Sequence, residues 1–113
     1  MIHSYWPDTS TRRLPDVKSW LATSSRGVRP VVVEEFGWPS EGDGTQYSPL
    51  LQLQFYQQQL PGFRANNVSA CLQWQAFDLA ERGKSSSFES YFGLWMMNET
   101  ALPVLDYYAS FPL

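Results

Sequence analysis

The sequence predicts an α/β fold in which short parallel strands alternate with helices. Three observations carry this. Val31-Val32-Val33 is a β-branched apolar run stopped by Gly37 and Pro39, the pattern of a strand covered on both faces. Two segments with apolar residues at helical spacing open on Pro15 and on Ser48-Pro49. These segments fall between strand-like runs, which is the βαβ rhythm of a parallel sheet.

In chain order, residues 1–7 read as a strand end running into a loop. His3 and Tyr5 are two apart and share a face. A polar-aromatic loop entry fits the same residues. Residues 8–14 are polar and read as loop. Pro15 then opens a helix, with Asp16 in its first turn and Val17, Trp20 and Leu21 as its apolar stripe. The Val31 strand follows. Strict alternation puts Val31, Val33 and Glu35 on one face and Val32 and Glu34 on the other. Glu35 thus stands at the C-terminal end of a parallel strand, where α/β folds gather their active sites. A solvated strand end bearing two carboxylates fits Glu34-Glu35 as well.

Residues 41–47 form a glycine-rich loop with no Gly-Lys-Ser/Thr closure, so it is not a phosphate loop. Ser48 caps a helix with Pro49 at its first position, and Leu50 to Leu60 carry a broad apolar face. Pro61-Gly62 is expected to interrupt it. Val68 to Phe77 reads as the third strand, with Leu72, Trp74 and Ala76 on one face and Cys71, Gln73, Gln75 and Phe77 on the other. Cys71 reads as a small buried apolar residue. Pro103 to Phe111 is the last helix, with Leu105, Tyr108 and Ala109 in a stripe.

The chain has 113 residues, enough for one domain with a modest core. Its formal net charge of −3 and pI near 4.9 argue against a nucleic-acid partner and give no basic patch for anionic lipid. No apolar run is long enough for a signal peptide or a membrane span. Aromatic residues make up 16%, which suits flat sugar faces in a saccharide cleft and equally suits an aromatic core. Cys71 is the lone cysteine, so no intrachain disulfide is expected. Asn67-Val68-Ser69 and Asn98-Glu99-Thr100 are acceptor sequons, which point to a secreted or cell-wall parent. No metal or cofactor is expected.

Val31-Val32-Val33-Glu34-Glu35-Phe36-Gly37-Trp38-Pro39-Ser40 resembles the seventh strand of retaining (β/α)8 glycoside hydrolases. Its nearest likeness is to glycoside hydrolase family 17, the β-1,3-glucanase-like family, whose motif reads Glu-[Thr/Phe]-Gly-Trp-Pro-Ser. Other segments are similar in the same order. His3-Ser4-Tyr5 resembles the end of strand six. Gln73-Trp74-Gln75-Ala76-Phe77-Asp78 resembles the eighth strand. Phe88-Glu89-Ser90-Tyr91-Phe92-Gly93-Leu94 resembles a cleft-wall segment. Lys84 does not match the family lysine in spacing, and Leu102 stands where a lysine usually precedes the last helix.

The resemblance implies a partial TIM (β/α)8 barrel of about three βα units. Residues 1–113 would then be the C-terminal fragment of one glycosidase-like domain, since a complete barrel needs about 250 residues. It implies Glu35 as nucleophile, Tyr5 as the residue that orients it, and His3, Trp38, Trp74, Asp78 and Glu89 as substrate contacts. The substrate would be a β-glucan-like polysaccharide or oligosaccharide. The acid/base of the family follows strand four, so this chain carries the nucleophile half of a site and is expected to be inactive alone. Either the N-terminal barrel half or self-association is expected to cover its bare strands. A noncatalytic carbohydrate-binding or scaffold piece is the alternative.

Overall fold

The computed structural model describes residues 2–4, 10–25 and 27–113, with side chains from residue 13 onward. Tyr5 lies outside the described residues, and His3 is described by its backbone alone. The elements are β1 (Ile2–Ser4), α1 (Ser10–Thr23), β2 (Val32–Phe36), α2 (Pro49–Ala65), β3 (Ala70–Gln73) and α3 (Val104–Ser110). Among the described residues a 3-10 turn covers Phe88–Ser90. The three strands form one sheet in the order β1-β2-β3, and both pairings are parallel. The expected parallel, sequential arrangement is therefore present.

One face of the sheet is closed by the helices. Phe36 packs its ring against Tyr56 at 5.1 Å, Phe63 at 5.4 Å and Tyr108 at 6.0 Å, joining β2 to α2 and α3. Val31, Val33, Leu60, Val68 and Val104 complete this core, and Leu14 brings in α1. The other face is open: Val32 is 39% exposed and Leu72 56%.

Both long helices depart from their expected bounds at a proline. α1 starts at Ser10, so residues 10–14 are helix and Pro15 lies inside it. The earlier start carries fully buried Leu14 into the core, while Trp20 of the expected stripe is exposed. α2 starts as expected: Ser48 Oγ accepts the Leu51 N–H at 3.0 Å and Pro49 follows. It then runs through Pro61 to Ala65. An interior proline costs roughly 3 kcal/mol, but continuing the helix seats Phe63 edge-on against Phe36. Burying a phenylalanine is worth about 1.5–3 kcal/mol, which offsets much of that cost.

The face of α2 also differs. Gln52 and Gln59 are fully buried and Leu50 is 60% exposed. Gln52 donates from Nε2 to the Gly93 carbonyl at 3.0 Å, and this tie to the chain before α3 explains a polar side chain on the inner face. β3 is shorter than expected, ending at Gln73. Phe77 lies beyond it in an isolated bridge with Trp95, and the two rings stack at 5.4 Å.

A cavity at the C-terminal end of the sheet

Strand β2 holds one residue more than its neighbours. Val33 pairs with Cys71 and Phe36 with Gln73, so Glu34 and Glu35 together stand opposite Leu72. On the other side Ile2 pairs with Val33 and His3 with Glu35, leaving Glu34 unmatched. This is a β-bulge, which shifts the alternation by one residue and re-aims the side chains beyond it. Val33 and Phe36 both reach the helix-side core as a result. Strict alternation therefore does not place Glu35. The Val31/Val33 face is the packed one, and an unbroken strand would have carried Glu35 into it. The bulge instead leaves Glu35 half-buried on the lining of a cavity of about 600 Å³. Glu34 is not part of that lining.

Trp38 and Trp74 line the same cavity. Trp38 stacks on Phe55 of α2 at 5.4 Å and donates from Nε1 to the Gln46 carbonyl at 2.9 Å, so both sides of the indole are held. Its ring leads to Tyr47 at 5.9 Å, and Tyr47 stacks on Phe88 at 5.5 Å. Phe88 meets Phe92 at 6.2 Å. These rings make a continuous aromatic wall. Trp74 is 46% exposed, and its backbone N–H donates to the Phe36 carbonyl at 2.9 Å. Gly37 permits this approach, since a Cβ there would sit 2.6 Å from the Trp74 carbonyl oxygen. Glu89, exposed on the 3-10 turn, is the second carboxylate on the lining.

Asp78 is placed differently from the expectation. Its side chain is fully buried, accepts the Gly93 N–H at 2.9 Å and pairs with Arg82 at 2.9 Å. It lies off the cavity lining. Burial pushes its pKa up, with Arg82 and the Gly93 N–H pulling down and Glu41 pushing up. Gly93 itself packs so closely on the Asp78 backbone nitrogen that a Cβ would clash.

Arg82 is the hub of this corner. Its Nη1 donates to Glu41 at 3.1 Å, its Nη2 to Ser40 Oγ at 2.6 Å, and its guanidinium lies 5.3 Å from the Tyr91 ring centroid. Glu41 also accepts the Gly83 N–H at 3.0 Å. The loop after β2 and the loop after β3 are thereby clamped together beside the cavity. Sequence reasoning did not pick out Arg82, Glu41 or Tyr47. The i,i+4 spacing of Asp78 and Arg82 was the one local signal, because the rest of the clamp joins residues about forty positions apart.

Among the described residues no group of three or more His, Cys, Asp or Glu side chains could hold a metal ion. No helix among them is long and apolar enough to cross a membrane. Cys71 is half-buried, and burial pushes its thiol up to about 11.

No protein-family model matches the chain, and no curated protein does. Among solved structures it is similar to Faecalibacterium prausnitzii beta-glucuronidase. The TM-score is 0.61 at 15% identity, over 96% of this chain and 21% of that one. At that identity the likeness bears on the fold alone. The chain spans about a fifth of the length of this structural relative.

Proposed function

We propose that the chain is the C-terminal part of a retaining (β/α)8 glycoside hydrolase, its strands corresponding to strands six to eight. The substrate is a β-glucan-like polysaccharide or oligosaccharide. The observation that carries the reading is the β2 bulge, which brings Glu35 onto one cavity with Trp38 and Trp74 at the C-terminal end of a parallel sheet. The fold likeness to a protein named as a beta-glucuronidase supports the α/β architecture this reading needs. In this mechanism Glu35 attacks the anomeric carbon. A second carboxyl group about 5–5.5 Å away protonates the leaving oxygen and then activates water. That acid/base comes from the segment corresponding to strand four, outside this chain.

By the family resemblance the role of orienting Glu35 goes to Tyr5, and that of contacting the sugar goes to His3, Trp38, Trp74 and Glu89. The parent is secreted or held in a cell wall, and its N-terminal half covers the open sheet face. Alone, the chain covers that face by self-association.

The test is substitution in the full-length parent. Glu35→Gln loses several orders of magnitude in kcat while substrate still binds. Tyr5→Phe costs roughly 1.5–3 kcal/mol of transition-state stabilisation, the worth of one hydrogen bond to a charged acceptor. Glu34→Gln costs far less. The 113-residue chain alone hydrolyses no β-glucan. A dead Glu34→Gln parent, or Glu35-dependent hydrolysis by the isolated chain, overturns the assignment. The exposed Trp74 face favours a noncatalytic sugar-binding piece as the second reading. Its mark is a parent that binds saccharide and never turns it over.

A further inference from the structure

Two exposed asparagines stand in acceptor sequons, and the fold holds them differently. Asn67-Val68-Ser69 is tied in along its length. The Asn67 N–H donates to the Arg64 carbonyl at 3.0 Å, and the Asn67 carbonyl accepts Lys18 Nζ at 3.0 Å. Val68 is buried in the core, and the Ser69 N–H donates to the Val31 carbonyl at 2.8 Å. Drawing this sequon into an enzyme would lift Val68 from the core and part the chain entering β3 from β2.

Asn98-Glu99-Thr100 lies on a turn between the paired residues Trp95 and Ala101. Residues 97–100 are all exposed. Two backbone bonds close the turn: the Glu99 N–H to the Met96 carbonyl at 3.0 Å, and the Met96 N–H to the Thr100 carbonyl at 2.8 Å. None of residues 96–100 is fully buried, so the segment can be drawn out while the core stays packed. The Thr100 N–H donates to Asn98 Oδ1 at 3.1 Å, and Nδ2 has no partner among the described residues. Asn98 also borders a recess of about 360 Å³, formed with Glu81, Arg82, Met96 and Met97, which leaves space for a first sugar. It is not on the lining of the Glu35 cavity, so a glycan there leaves that cavity free.

We propose that Asn98 is an acceptor site for an N-linked oligosaccharide, and that the fold favours it over Asn67. The proposal rests on the secreted-parent reading above. The donor is an oligosaccharide on a polyprenyl diphosphate. Asn98 Nδ2 forms a C–N bond to the anomeric carbon as the bond from that carbon to the diphosphate oxygen breaks. The diphosphate leaves with the electron pair, and the Nδ2 proton passes to a base of the transferase. A bulky, solvated chain on an exposed turn costs the fold little.

The experiment expresses the full chain behind a cleavable secretion leader in a eukaryotic host and measures the mass of the processed chain. Loss of the leader shows that the chain entered the secretory pathway. The chain gains the mass of one oligosaccharide, which a glycoamidase removes, converting Asn98 to Asp. Asn98→Gln and Thr100→Ala abolish the gain. Thr100→Ser keeps it, and so does Asn67→Gln. A processed chain without added mass overturns the proposal. So does a glycan that Asn67→Gln removes, or equal occupancy of the two asparagines. A gain that survives Thr100→Ala overturns the sequon as its cause. None of these outcomes touches the glycoside reading, which stands or falls on Glu35→Gln in the parent.

Discussion

The two faces of the sheet are built from the same strands and end in opposite states. On the helix side, Phe36, Tyr56, Phe63 and Tyr108 interlock and little is left to solvent. On the other side, Val32 and Leu72 stand exposed and the carboxylate of Glu35 opens on a cavity. The closed face holds the fold together. The open face carries exposed apolar residues that contribute little to stability, and the candidate site lies at the C-terminal end of the same sheet. In a single isolated unit this asymmetry is a liability; in a larger barrel it is what a wall looks like from inside.

The largest effect expected falls on the closed face. Phe36→Ala removes the ring that joins β2 to two helices and costs about 3–5 kcal/mol. Chemical denaturation would show it as a lost or strongly shifted transition. Leaving the midpoint unmoved would mean that the helix-side core does not hold the sheet.

Arg82→Ala comes next, at roughly 2 kcal/mol near neutral pH, because it strands buried Asp78 and releases Glu41. The sign of its pH dependence is fixed by Asp78. Burial holds that carboxyl above its usual value, so its contribution to stability is full below the unfolded pKa and falls as pH rises through the folded one. Removing Arg82 raises Asp78 further. The gap between variant and parent sequence is therefore small at about pH 3 and widens toward neutrality. A gap that narrows with rising pH would remove Asp78 from the account.

The capping serine is a smaller and purely local test. Ser48→Ala leaves the Leu51 N–H without its side-chain acceptor and costs about 1 kcal/mol, read from the same denaturation midpoint. Leu72→Ser, on the open face, changes stability by less than about 0.5 kcal/mol. Its effect is on association: sedimentation would show a lower-order species than the unchanged chain. A Leu72→Ser chain as unstable as Phe36→Ala would erase the contrast between the faces.

How much the sequence disclosed depends on the range of the forces involved. Ser48-Pro49 caps α2 through a bond three residues away, and it was legible for that reason. The parallel alternation of strands and helices was legible too, because it is written in local periodicity. Pro15 and Pro61 were misread as boundaries. Leu14 and Phe63 draw the helices past them into a core whose other half comes from β2 and α3. Gln52 sits on an inner face because its partner is the carbonyl of Gly93, forty-one residues on. Trp38, Trp74 and Glu89 do line the cavity, Asp78 does not, and the ring wall through Tyr47 depends on loops that meet only in the fold.

The extra residue in β2 has a genetic meaning. Substitution at Glu34 or Glu35 changes which side chain a position carries but leaves the phase of the strand alone. Loss of a single codon between Val33 and Phe36 is different. It would restore strict alternation with Val33 and Phe36 still on the core face, and the one remaining carboxylate would stand opposite Leu72 without the bulge that aims Glu35. A miscount here spares the core and removes the feature that aims Glu35.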